Sequence, residues 1–203
     1  MLNYKNSKSA SLQESFVISM TKEKKHGFYV ELGSGDPYKE SNTFLLESEF
    51  VWKGLALEIE KSVAEGYNLS DRTNKCINAD ALKFDYLAHF KENNFPKVID
   101  FLQIDIDGHD IGNCLLALVA LPMLEYRFSV IIIEHDVCEN YKRASMRDAQ
   151  REILSSLEYK LIGQTLSEDW WIDPKHIDND AYRNNIFIGN PKVSEFVDTR
   201  MVD

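Results

Sequence analysis

Lysine and arginine are scarce in this 203-residue chain: 23 stand against 33 aspartates and glutamates, a formal net charge of −10. That deficit excludes a broad nucleic-acid surface, which needs clustered cations to displace phosphate counterions. The basic cluster Lys22, Lys24 and Lys25 is short and reads as a solvated helix end. No apolar run approaches the roughly 18 residues that cross a bilayer, so no membrane span is expected. The N-terminal stretch MLNYKNSKSASLQ lacks a secretory hydrophobic region, and a cytoplasmic location is expected. Cys76, Cys114 and Cys138 are odd in number and lack metal-type spacing, which predicts reduced thiols, mostly core filler. Internal repeats, low-complexity tracts and Pro/Gly/Ser linkers are also missing. With 44% apolar residues, the chain reads as one soluble domain with a real core.

What is present is an alternation. Short apolar runs predict strands at 27–32, 54–58, 75–78, 98–105, 129–134, 159–166 and 184–189. Helical spacing predicts helices near 41–49, 61–71, 81–93, 110–121 and 144–157. Residues 1–25 form an expected N-terminal segment whose amphipathic helix, over 10–24, packs on the sheet or covers a ligand; residues 26–203 form the main domain. Strands separated by helices predict right-handed crossovers and a parallel sheet. Only a loop, 167–183, separates the last two strand candidates, so they are expected as an antiparallel hairpin at one edge.

The run GFYVELGSGDP places Glu31, Gly33 and Gly35 where the first strand ends. Glycine lets backbone approach a ligand closely. A dinucleotide fingerprint would need a third small residue where this chain has Tyr38, and a helix starting at once. Neither is present, which favours S-adenosylmethionine: it has no phosphate, and Glu31 suits its ammonium. Glu58 ends the second strand, where a carboxylate accepts both hydroxyls of a ribose; Glu60 is its competitor. Asp80 either accepts from the adenine amino group or caps a helix beginning near Ala81.

Acids and histidines crowd the next two strand ends. FLQIDIDGHD carries Asp105, Asp107, His109 and Asp110; VIIIEHD carries Glu134, His135 and Asp136. Packed together without a compensating cation, these carboxylates repel one another. In one reading His135, or else His109, is a general base, with Asp107 orienting it. In the other, Asp105, Glu134 and His135 hold a divalent metal that lowers the pKa of a substrate oxygen. The net charge disfavours anionic acceptors unless a metal or the cluster Lys142, Arg143 and Arg147 offsets it. Trp170 and Trp171 are read first as core residues, as large aromatics most often are; the alternative puts one ring in the core and the other at a substrate mouth.

Over roughly residues 26–175 the chain resembles the FkbM-type methyltransferases, a branch of the class I S-adenosylmethionine-dependent family. GFYVELGSGDPYKESNTFLLE, WKGLALEIE, DFLQIDIDGHD, IIIEH and LSSLEYKLIGQTLSEDWWIDP carry the resemblance. It implies a Rossmann-like α/β fold: a mostly parallel seven-stranded sheet with a terminal antiparallel hairpin and helices on both faces. It implies methyl transfer to a hydroxyl of a sugar or small metabolite. It places Glu31, Gly33 and Gly35 at the cofactor, Glu58 at the ribose, Asp80 at the adenine and Asp105 at the methyl-transfer end. Asn42 and Ala81 complete the expected cofactor set. The expected partner is thus a small-molecule or glycan hydroxyl acceptor. The alternatives of other classes are an NAD-type oxidoreductase and a non-catalytic nucleoside-binding module.

Overall fold

In the computed structural model, which describes residues 4–106, 112–178 and 180, six apolar runs form strands close to their expected positions. They are β1 (Phe28–Leu32), β2 (Lys53–Glu58), β3 (Cys76–Asn78), β4 (Val98–Ile104), β5 (Arg127–Glu134) and β6 (Lys160–Gln164). A seventh, β7 (Glu168–Ile172), completes one sheet in the order β3-β2-β1-β4-β5-β7-β6. β1 through β5 pair in parallel; β7 runs antiparallel to both neighbours, β5 and β6. The terminal hairpin is therefore present, but its second strand lies inside the segment expected as a loop, 167–183. The strand expected at 184–189 lies outside the described residues.

The two faces of the sheet follow from the two-residue period of strands. Val30, Leu32, Leu102, Ile104, Ile131, Ile133 and Trp171 share one core. Tyr29, Phe101, Val130, Ile132, Trp170 and Ile172 share the other. The adjacent tryptophans thus enter opposite cores, and both are buried. The core reading therefore holds, and the alternative of a ring at a substrate mouth does not.

Helices α1 (Gln13–Met20), α2 (Phe44–Ser48), α3 (Lys61–Leu69), α4 (Tyr86–Glu92), α5 (Asn113–Ala120) and α6 (Ala144–Ser156) cover these faces. Phe16, Val17, Ile18 and Met20 of α1 join the second core, and Phe16 packs on Trp170 with ring centroids 5.0 Å apart. Phe90 of α4 and Leu118 of α5 sit in the first core; emptying a site like that of Phe90 costs about 3–5 kcal/mol. The helix expected over 81–93 starts later. Asp80 accepts from Leu82 N–H and closes a turn, and Asp85 caps α4 by accepting from Ala88 N–H. The basic cluster is partly engaged: Lys22 pairs with Asp178 and Lys24 with Asp100. Cys76 and Cys114 are buried free thiols, and Cys138 is an exposed one.

Candidate active site

The carboxyl ends of the parallel strands bring the first turn against the end of β4. Gly33 has φ +84°, and a Cβ there would lie 1.9 Å from the carbonyl oxygen of Asp105. Only glycine fits such an approach. Asp105 N–H donates to Leu32 O at 3.0 Å, and Gly33 and Ser34 N–H both donate to Leu57 O. Gly35 is also left-handed, φ +56°, but faces open space. Its N–H donates to Glu58 Oε2 at 3.1 Å, while Glu60 N–H donates to Glu58 Oε1 at 2.9 Å. Glu58 is thereby fixed at the end of β2, between the first turn and the residue that precedes α3.

A cavity of about 460 Å³ opens here, lined by Gly33, Glu58, Asp80, Ala81 and Asp105 among others. Five of the predicted cofactor residues, at four strand ends, therefore meet. Asp80 both caps its turn and lines this cavity. Lys83, 2.7 Å away, then Leu82 N–H, hold its carboxyl below the ordinary range.

Glu31 does not line this cavity or its neighbour. It is buried and accepts from Thr43 Oγ1 at 2.8 Å. Burial pushes its pKa up to about 8, against the pull of Arg72. Arg72 is a residue that sequence reasoning missed, as is Glu168 of that neighbouring cavity. Its buried guanidinium donates to Glu47 Oε1 (2.5 Å), Thr43 Oγ1 (2.8 Å), Pro37 O (2.7 Å) and Ser41 Oγ (3.0 Å). Tyr29 OH and the N–H groups of Thr73 and Asn74 also donate to Glu47. Burial alone would raise the Glu47 carboxyl; Arg72 holds it below its ordinary value. This network ties the loop carrying Asn42 to β1. The sequence SDRTNK offers nothing to separate Arg72 from an ordinary loop cation.

A second cavity, of about 520 Å³, adjoins at Asp105, which lines both. Gln13, Asn42, Glu134, Asp136 and Glu168 face it as well. Glu134 stands beside the Asp105 and Asp136 carboxyls. Burial, then the Asp105 charge, pushes its pKa up to about 10, so it carries a shared proton at neutral pH. Asp136 pairs with Arg143 at 3.2 Å. Glu168 is buried, accepting from Gln13 Nε2 at 3.0 Å and Trp170 Nε1 at 3.0 Å; burial raises it to about 7. Asn42 is 8% exposed, and its Oδ1 has no hydrogen-bond partner among the described residues.

His135 follows Glu134 but lines neither cavity. It is buried, Nδ1 accepts from Val137 N–H at 3.3 Å, and Nε2 lies 3.6 Å from Asp169 Oδ1. Asp169 is gripped in turn by Arg151, at 2.6 and 2.7 Å. With its ring turned to Asp169, His135 does not join Asp105 and Glu134. Among the described residues no three His, Cys, Asp or Glu side chains are arranged to hold a metal ion. The metal reading therefore does not fit this donor set. Asp107 and His109 lie outside the described residues.

No family model matches the chain, and no curated protein matches it. Solved structures do. The O-methyltransferase from Bacillus cereus in complex with SAH is 18% identical with TM-score 0.54, over 83% of this chain and 82% of that one. Human methyltransferase-like protein 13 in complex with SAH is 17% identical with TM-score 0.54, over 86% of each chain. The plantazolicin methyltransferase BpumL in complex with SAH is 13% identical with TM-score 0.52, over 91% of this chain and 76% of that one. The fold is the Rossmann-like fold of class I methyltransferases, as the sequence led us to expect.

Proposed function

We propose that this protein transfers a methyl group from S-adenosylmethionine to a hydroxyl oxygen of a small-molecule or glycan acceptor. The observation that carries the reading is Asp105, a carboxylate common to a nucleoside-sized cavity and an acidic cleft. The structural neighbours crystallised with SAH support the cofactor. The sequence resemblance to the FkbM-type branch supports oxygen as the nucleophile.

S-adenosylmethionine supplies an electrophilic methyl group on a sulfonium. Glu58 accepts the ribose hydroxyls, and Asp80 with Ala81 borders the base. Asn42 and the loop pinned by Arg72 border the amino-acid end, while Glu31 acts through Thr43 on that loop. Asp105 faces the sulfonium. As the acceptor oxygen bonds to the methyl carbon, the carbon–sulfur bond breaks and S-adenosylhomocysteine leaves. The hydroxyl proton passes to Asp105, whose partner Glu134 already shares a proton with it. Asp105 takes over the role first given to His135, whose buried ring faces Asp169 and not the cleft; His109, with Asp107 orienting it, is the further base candidate. Catalysis rests on alignment and exclusion of water.

Calorimetric titration with S-adenosylhomocysteine tests the cofactor: micromolar binding unchanged by chelator is expected, and no binding would overturn the reading. Asp105→Asn should keep that affinity, since the product lacks the sulfonium charge. It should also lose methyl transfer from labelled cofactor into a deproteinised metabolite extract by about 100-fold or more.

A further inference from the structure

Ser41, Asn42 and Thr43 are consecutive, yet their polar atoms are engaged differently. Arg72 donates to Ser41 Oγ through one terminal nitrogen, at 3.0 Å, and to Thr43 Oγ1 through the other, at 2.8 Å. The first nitrogen also donates to Pro37 O and the second to Glu47 Oε1. Thr43 Oγ1 in turn donates to Glu31 Oε2. One planar guanidinium therefore holds both chain neighbours of Asn42, as its forked donors allow.

Asn42 itself stands apart from this network. It is 8% exposed, and its Oδ1 has no hydrogen-bond partner among the described residues. An asparagine just ahead of a helix usually accepts from the N–H groups of the first turn. Here the Leu45 N–H of α2 donates to Glu14 instead. Gln103 and Ser15 also carry buried atoms without partners, but of all such atoms only Asn42 Oδ1 belongs to a residue lining the second cavity. Asp105 lines both cavities, and Glu58 lines only the first of the two. A ligand with its ribose at Glu58 and its sulfur at Asp105 therefore sends its amino-acid arm toward Asn42. A buried acceptor without a donor is unfavourable, so a group that brings N–H is favoured there.

We propose that Asn42 Oδ1 receives the ammonium of the cofactor's amino-acid arm, and that Arg72 is the positioning residue that aims it. The proposal rests on the methyl-transfer reading above and deepens it, by naming what tells the cofactor from a bare nucleoside. An ammonium offers three donors and no acceptor, which suits a free carbonyl oxygen. Glu31, expected from the sequence at this ammonium, stands behind Thr43 and lines neither cavity. Arg72 lines neither cavity either, so its effect passes through Ser41 and Thr43 to the backbone of Asn42.

Calorimetry on the full chain compares S-adenosylhomocysteine with 5′-methylthioadenosine, which keeps the nucleoside thioether and lacks the amino-acid arm. S-adenosylhomocysteine should bind about ten-fold more tightly or better, the worth of a hydrogen bond to a charged group. Asn42→Ala should remove most of that preference and leave methylthioadenosine affinity within about two-fold. Asn42→Asp should retain the preference, because a carboxyl also accepts from an ammonium. A loss equal to that of Asn42→Ala would mean that the amide N–H groups hold the carboxylate of the arm, and would overturn the assignment. Arg72→Lys keeps a charge for Glu47 but not the fork, so it should cut the preference several-fold at constant methylthioadenosine affinity. Ser41→Ala, which removes one arm of the grip, replaces it if the lysine variant does not fold. Equal binding of the two ligands by the unaltered protein, or a preference untouched by Asn42→Ala, would overturn the proposal. Both ligands weakened alike by the Arg72 or Ser41 variant would make Arg72 merely structural. No binding of either ligand strikes instead the reading beneath.

Discussion

The two halves of the strand-end rim handle charge differently. Over β1 to β3 the charges are matched by partners of the same chain: Glu47 with Arg72, Asp80 with Lys83, Glu58 with two backbone N–H groups. Over β5 to β7 only some are: Asp136 pairs with Arg143 and Asp169 with Arg151, but Glu134 faces two other carboxylates, and Glu168 meets only neutral donors. The first half is complete before any ligand arrives, and its polar groups hold a loop in place. The second half keeps its shape by holding protons, so it gains most from a cation. Glu31 is the exception in the first half, a carboxyl with one hydroxyl donor and a pKa raised by burial.

Arg72→Met would test the matched half most severely. Removing one partner of a buried ion pair costs about 3–5 kcal/mol, because the other charge is left in the interior. Urea denaturation should register that loss. A change of about 1 kcal/mol or less, the size of an exposed pair, would break the comparison. Gly33→Ala comes next. Contact with the Asp105 carbonyl and a left-handed φ should together cost about 2–4 kcal/mol. Gly35→Ala meets open space and should cost only about 1 kcal/mol for its φ. Equal melting temperatures for the two variants would show that the close approach carries no weight.

The unmatched half should respond in the opposite sense. Burial and the Asp105 charge raise the Glu134 carboxyl from the ordinary 4.5 to about 10, so the folded protein holds a proton that the unfolded chain has released. Stability from this group is therefore full below about pH 4.5 and is lost as the pH rises toward 10. Glu134→Gln should flatten that decline and raise stability at pH 9 by on the order of 1 kcal/mol. Thermal melts at pH 6 and pH 9 would reveal it, and an unchanged slope would count against the shared proton. The smallest effect is expected at Lys83. Its pair with Asp80 is exposed, so Lys83→Ala should leave the melting temperature unchanged while Asp80 stays capping its turn. A drop of several degrees would show that the pair is structural.

The parallel core was legible because β1, β2, β4 and β5 are short apolar runs separated by helical periodicity. β7 was not, because Glu168-Asp169 opens it and acids usually mark loops. Tertiary partners overrode that signal: Gln13 and Trp170 bond Glu168, Arg151 grips Asp169, and each tryptophan fills a different core. That Gly33, Glu58, Asp80, Ala81 and Asp105 would converge on one cavity was readable because strand ends point at one rim. His135 was misread because its neighbour Glu134 faces the cleft while its own ring turns inward to Asp169. Arg72 and Glu168 were missed as site residues because their importance lies in partners distant in the chain.

The pairing of Phe16 with Trp170 also bears on how the chain is made. Phe16 leaves the ribosome well before Trp170, which lies 154 residues downstream. At synthesis rates of about 5–20 residues per second, the Phe16 ring waits roughly 8–30 s for Trp170 to appear. During that interval the core around α1 lacks one of its walls and stays open to chaperones, and a ribosome stalled before Trp170 would leave that wall missing.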